Sequence, residues 1–157
     1  MIDLYFAVKI AHIVSSTVLF GTGMGTAFQM WTAHRGGDVR VIAGVARHVV
    51  WADTLFTTPA VIVQPLTGLW LIHLAGFELT EPWLLAAYAL YLLAGACWLP
   101  VVWIQLRVRD LAAGAAASGT PLPPRYHRLM AWWFGLGWPA FLAVLAIFWL
   151  MVEKPAF

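Results

Sequence analysis

The stretch from Trp83 to Leu106, WLLAAYALYLLAGACWLPVVWIQL, contains no Asp, Glu, Lys, Arg or His. A helix needs about 20 consecutive apolar residues to cross the hydrocarbon core of a bilayer, and this run is long enough. It is continuous rather than alternating, whereas a barrel strand would read as about 10 residues of alternating hydropathy. Three further runs of the same kind flank it, at Leu4 to Trp31, Trp51 to Ala75 and Trp132 to Val152. Inside lipid every backbone N–H and carbonyl must be satisfied within the chain, so the four runs are expected to be helices. The predicted fold is all-α, a polytopic membrane protein forming one four-transmembrane-helix bundle over residues 1–157.

Composition supports this and excludes much else. The 157 residues are 62% hydrophobic and only 10% charged, with mean hydropathy +0.82. A soluble domain of this length has too little interior to hide so much apolar surface. A single cysteine, Cys97, leaves no intrachain disulfide and no cysteine-pair metal site. No Gly-rich phosphate loop is present, and no His-x-x-x-His pair suggests a membrane metalloprotease. The first apolar run exceeds a signal-peptide core of about 7–15 residues and has no basic leader, so it reads as a retained span.

The basic residues are unevenly placed. Between the runs lie Thr32 to His48, the short acidic Gly76 to Pro82, and Arg107 to Arg128. The first and third hold Arg35, Arg40, Arg47, Arg107, Arg109, Arg125 and Arg128, seven of the nine basic residues. The other side has only Lys9 and Lys154, beside Asp3, Glu78, Glu81 and Glu153. The positive-inside rule predicts both termini outside and the arginine-rich loops in the cytoplasm, with the arginines meeting an anionic leaflet rather than nucleic acid. The expected setting is a bacterial inner membrane, with the lipid bilayer as the main partner. The Ala/Gly stretch of the third loop, followed by Pro121, Pro123 and Pro124, predicts a flexible loop that restarts a helix near Leu122. Trp31, Trp51, Trp83, Trp103, Trp132 and Trp149 lie near run ends, where indoles prefer the headgroup level.

Run one holds the most suggestive polar residues. Lys9, His12 and Ser16 fall on one helical face, with Ser15 beside it. His12 lies well inside the span, where an ionisable group is costly and faces the bundle interior or water. Three readings of it stay open: a metal or haem ligand, a hydrogen bond to a neighbouring helix, or a proton relay. Lys9 reads either as a lysine snorkelling to headgroups or as a cation for a ligand carboxylate. Gly21 and Gly25 form a small-xxx-small pair that predicts close approach of another helix of the bundle. In run two, Pro59 and Pro65 free backbone carbonyls that nearby hydroxyls can satisfy. Gln64 requires a partner on another helix, and Asp53 is expected at a helix N-terminus, where the dipole favours a carboxylate. His73 ends this run on the same side as His12. His34, His48 and His127 fall among the arginines and read as solvated or headgroup-facing.

Several motifs carry a family resemblance. Lys9-Ile10-Ala11-His12-Ile13, Gly21 to Gly25 and His34-Arg35 resemble the first span of HemJ-type protoporphyrinogen oxidases and the wider CopD-like membrane superfamily. Thr58-Pro59-Ala60, Gly68-Leu69-Trp70, Pro82-Trp83-Leu84 and Val152-Glu153-Lys154-Pro155 continue it. Over essentially the whole chain the sequence resembles a bacterial predicted integral-membrane family, domain of unknown function 2269. Trp98-Leu99-Pro100-Val101-Val102-Trp103 and Gly137-Trp138-Pro139-Ala140 are the most specific pieces. The resemblance implies a bundle related to haem-b-binding oxidases. It makes His12 an iron ligand in the outer-leaflet half, Lys9 a propionate contact and His73, Cys97 or Met24 a second ligand, in a redox or electron-transfer role. The family's span-three Lys and His are replaced here by Ala86-Ala87 and Cys97-Trp98. The alternative is a non-catalytic subunit or scaffold packing against a membrane-protein partner or a second copy.

The orientation is directly testable. A phosphatase reporter fused at the C-terminus is expected to be active, and one fused near Ala115 inactive; the reverse pattern overturns the assignment.

Overall fold

The computed structural model describes residues 3–155, and within them all regular structure is helical. Helix α1 spans Leu4–Gly36 and α2 spans Val39–Ala52. A π turn, Asp53–Thr57, joins α2 to α3, Thr58–Ala75, so that residues 39–75 form one continuous rod. Helices α4, Pro82–Ser118, and α5, Pro124–Glu153, complete the fold. Four helical rods are long and apolar enough to cross a membrane, as the four runs predicted.

Two predicted loops are instead helix. The first connection shrinks to Gly37 and Asp38. Gly37 takes a left-handed conformation, φ 73°, which glycine adopts without steric cost. Asp38 caps α2 by accepting from the N–H groups of Arg40 and Val41 at 2.8 and 3.3 Å. Helix α2 forms because Ile42, Ala46, Val49 and Val50 recur at helical spacing and are all buried. The Ala/Gly stretch likewise continues α4 to Ser118. Alanine is the best helix former, and Val108, Ala112 and Ala115 bury one face of the extension. The real break comes at Gly119, φ 64°. The chain restarts at Pro124, whose missing N–H costs nothing in the first turn.

The larger of the two buried clusters lies at the arginine-rich end, where it includes Met30, Ile42, Val49, Val108, Tyr126, Met130 and Trp133. A belt of tryptophan and arginine pairs surrounds this end. Trp31/Arg35, Arg47/Trp51, Trp103/Arg107 and Arg128/Trp132 are each four residues apart, one pair per rod. In the first three the guanidinium lies over the indole, at 5.3, 5.6 and 5.6 Å. All four indoles are exposed, as residues at a headgroup boundary should be. At the opposite end Lys154 lies 4.8 Å from the Phe77 ring and 5.7 Å from that of Trp83. Trp83 is buried in a second cluster with Ile72, Leu84 and Leu150. It is therefore a packing residue and not a headgroup anchor.

Helix α4 lies antiparallel to the residue 39–75 rod along a seven-residue repeat. Tyr91 reaches Val61, Trp98 reaches Asp53, and Gln105 lines a small cavity with Ala46 and Val49. The repeat matches left-handed packing of nearly parallel rods. The Tyr91 contact has a specific cause. Pro65 has no N–H, so the carbonyl four residues earlier, Val61, loses its helical donor. The Tyr91 hydroxyl donates to that carbonyl at 2.5 Å. Tyr91→Phe should therefore lower thermal stability in detergent, by about 1–2 kcal/mol. In a Pro65→Ala background, where the helix regains its own donor, the same substitution should cost much less. Equal losses in both backgrounds would show that the hydroxyl does not serve that carbonyl.

Candidate functional site

Helices α1 and α3 cross through a cluster of polar side chains. His12 and Ser15 come from α1, one turn apart; Gln64 and Thr67 come from α3, also one turn apart. The spacing of three puts each pair on one face. Gln64 Nε2 and His12 Nε2 are 3.0 Å apart, and His12 Nδ1 and Thr67 Oγ1 are 2.8 Å apart. The Ser15 hydroxyl meets Gln64 Oε1.

The donors and acceptors resolve into one consistent set. An amide nitrogen only donates, so Gln64 Nε2 donates to His12 Nε2. The ring proton is then on Nδ1 and donates to Thr67 Oγ1. Thr67 donates onward to the Val63 carbonyl at 2.7 Å, and Ser15 donates to Gln64 Oε1. The imidazole is neutral in this arrangement and neither ring nitrogen has a free lone pair. A hydrogen-bonded network of this kind holds membrane helices together, at about 0.6–2 kcal/mol per bond.

Gly68 makes the approach possible. A Cβ built there would lie 3.2 Å from His12 Cε1, closer than a comfortable carbon contact. The close-packing glycine is thus Gly68 on α3. Gly21 and Gly25, predicted for that role, are exposed, and a Cβ at either meets nothing within 4 Å. The reason is rotational: α1 turns Ser15 and Met30 inward, which leaves the glycine face pointing away from the bundle.

The other predicted residues scatter. Ser16 bonds the Ile13 carbonyl of its own helix at 2.8 Å, so Ser15 takes the place expected of it. Lys9 is exposed, with its amine 5.5 Å from the Tyr5 ring. His73 is exposed on α3, about 9 Å of helical rise beyond Thr67, and does not meet His12. Among the described residues no three of His, Cys, Asp and Glu gather as a metal site. Near the arginine-rich end His34 Nδ1 lies 3.1 Å from the buried Tyr126 hydroxyl, and its ring centroid is 5.9 Å from that of His127.

Asp53 departs furthest from expectation. It heads no helix; it sits inside the residue 39–75 rod, in the π turn, 8% exposed. Pro59 explains the wide turn, since its ring would strike the carbonyl four residues back, Leu55. The Thr58 N–H instead reaches back five residues to the Asp53 carbonyl. Sequence inspection could have signalled this through Thr58-Pro59 inside an otherwise unbroken apolar run.

Together these features define a four-span helical membrane protein with a closed polar seam between its first and second spans. The chain matches the family described as Predicted integral membrane protein (DUF2269) over residues 6–155, and it belongs to that family. No curated protein and no solved structure matches it.

The seam predicts a measurable coupling. His12→Ala strands the Gln64 amide and should lower detergent thermal stability by about 1–3 kcal/mol. Gln64→Ala added to His12→Ala should cost less than it does alone, because the shared bond is already gone. Strictly additive losses would contradict the network. Gly68→Ala should destabilise by crowding the ring, while Gly21→Ala and Gly25→Ala should be neutral or stabilising, as expected for exposed helix positions.

Proposed function

We propose that this protein is a non-catalytic membrane subunit, a rigid four-helix element that packs against a transmembrane helix of another protein. The observation that carries the reading is the outward face of α1. Gly21 and Gly25, four residues apart on that face, have open space beyond their backbones, and small residues on a lipid-facing surface let a second helix come close enough for extensive backbone contact. The polar side chains nearest that helix's outer half are already occupied with one another, which suits a structural role for His12. The termini lie outside and the arginine-rich end faces the cytoplasm, held there by the four tryptophan and arginine pairs.

The competing reading is haem b on His12 in the outer-leaflet half. Axial ligation needs a ring-nitrogen lone pair. With Nε2 accepting from Gln64 and Nδ1 bonded to Thr67, the residues present do not fit iron unless Gln64 leaves. The exposure of His73, about 9 Å of helical rise beyond Thr67, argues against it as a second ligand.

A visible spectrum separates the two. Protein purified from haem-replete cells should be colourless, and added haemin should give no Soret shift. A Soret band that His12→Ala abolishes would overturn the subunit reading in favour of the haem protein. In native gels of gently extracted membranes the chain should run in a complex that Gly21→Leu/Gly25→Leu disperses, with its own thermal stability unchanged. If that variant leaves migration unaltered, the glycine face is not the contact.

A further inference from the structure

Among the described residues Asp53 is the one carboxylate buried inside the bundle, and the surroundings leave it incompletely partnered. It is 8% exposed, and Thr57, one turn on, is 5% exposed. Its Oδ1 has a long contact, 3.5 Å, from the Trp98 indole N–H. Its Oδ2 has no hydrogen-bond partner, and neither has Thr57 Oγ1.

No counter-charge faces this group from any element around it. On α1 no titratable residue occurs between His12 and His34. On α4 only the Cys97 thiol occurs between Tyr91 and Arg107, and α3 has none before His73. On α5 none occurs between Arg128 and Glu153. On α2 the nearest are Arg47 and His48, and Arg47 is committed to the Trp51 ring. The described residues contain one ion pair, Arg109 with Asp110, on the exposed part of α4.

An ionised carboxylate taken out of water with neither cation nor donors on one of its oxygens is among the most costly groups a protein can bury. Two small hydroxyl and carboxyl oxygens are also too few to replace the oxygen shell of a metal cation. A bound proton resolves both facts, since it removes the charge and needs no further oxygen ligands. We propose that Asp53 is a proton-binding site of this protein, a carboxyl group that holds one proton within the bundle and exchanges it with the arginine-rich side. The direction follows from depth: Asp53 lies two residues, about 3 Å of rise, inside the Trp51 boundary. The π turn supports the role, because Asp53 and Thr57 stand at its two ends, one turn apart, and both are buried.

The test is infrared difference spectroscopy on the whole protein in nanodiscs at neutral pH. The expected signal is a protonated carboxyl C=O stretch above the amide I band, downshifted in D2O and by carbonyl-13C labelling of aspartate. The other aspartates, Asp3, Asp38 and Asp110, are exposed. Asp53→Asn should remove the band. Trp98→Phe should move it to higher frequency by taking away the indole N–H that faces Oδ1, a readout that stands even if Asp53→Asn fails to fold. Absence of the band in the native protein, or no response of it to Trp98→Phe, overturns the proposal. Loss of the band on titrating sodium at constant pH, with release of protons, would overturn it in favour of a metal-cation site.

Discussion

In hydrocarbon, a polar atom with no partner inside the protein has no partner at all, and that constraint organises this molecule. It forces the backbone into helices, and it also decides where the helices touch. Pro65 strips a donor from the Val61 carbonyl, and Tyr91 of α4 supplies the replacement. Pro59 does the same one turn and a half earlier, and the backbone responds by widening into a π turn. The prolines that look like defects in a spanning run are thus points where one rod is tied to another or given a distinct shape.

Polar side chains follow the same rule with different outcomes. The seam of His12, Ser15, Gln64 and Thr67 closes on itself, with three hydrogen bonds between two helices and a fourth from Thr67 to the Val63 carbonyl. Gly68 lets the ring lie against the α3 backbone, so the seam is compact as well as satisfied. Such a network is glue, and its worth per bond is modest because the alternative partners available in a membrane are not negligible. The rule has exceptions, Tyr88 and Trp133 among them, and Asp53 is the one that carries a carboxylate. Its second oxygen stays unpaired although the side chain is buried, and structural need alone does not call for a carboxylate there.

The two ends of the bundle differ in kind. At the arginine-rich end the helices run on past the tryptophan belt and bury a dense cluster that includes Tyr126, Ile42 and Met130. At the other end the packing is a small group around Trp83 and Leu84, closed by Lys154 over aromatic rings. The membrane boundary is marked most clearly where guanidinium and indole repeat at four-residue spacing on every rod.

The number and positions of the spanning helices were readable from the sequence, because apolar runs of that length, from Leu4–Trp31 to Trp132–Val152, have no other stable form in lipid. Gln64 was readable as needing a partner, since a buried amide must bond, and so were the prolines as sources of free carbonyls. Local composition misled at Thr32–His48 and Arg107–Ser118, where charge and glycine suggested loops. There Ile42, Ala46, Val49, Val108 and Ala112 gain so much by packing that helix prevails. What only the tertiary structure decided is rotation. Sequence places His12, Ser15, Gly21 and Gly25 along one helix. It does not say that Ser15 turns inward and the glycines outward, that Gly68 rather than Gly21 admits a close neighbour, or that His73 is left exposed. Those choices depend on how the ridges of α1 settle against α2 and α3, a contact between residues distant in the chain that no local pattern encodes.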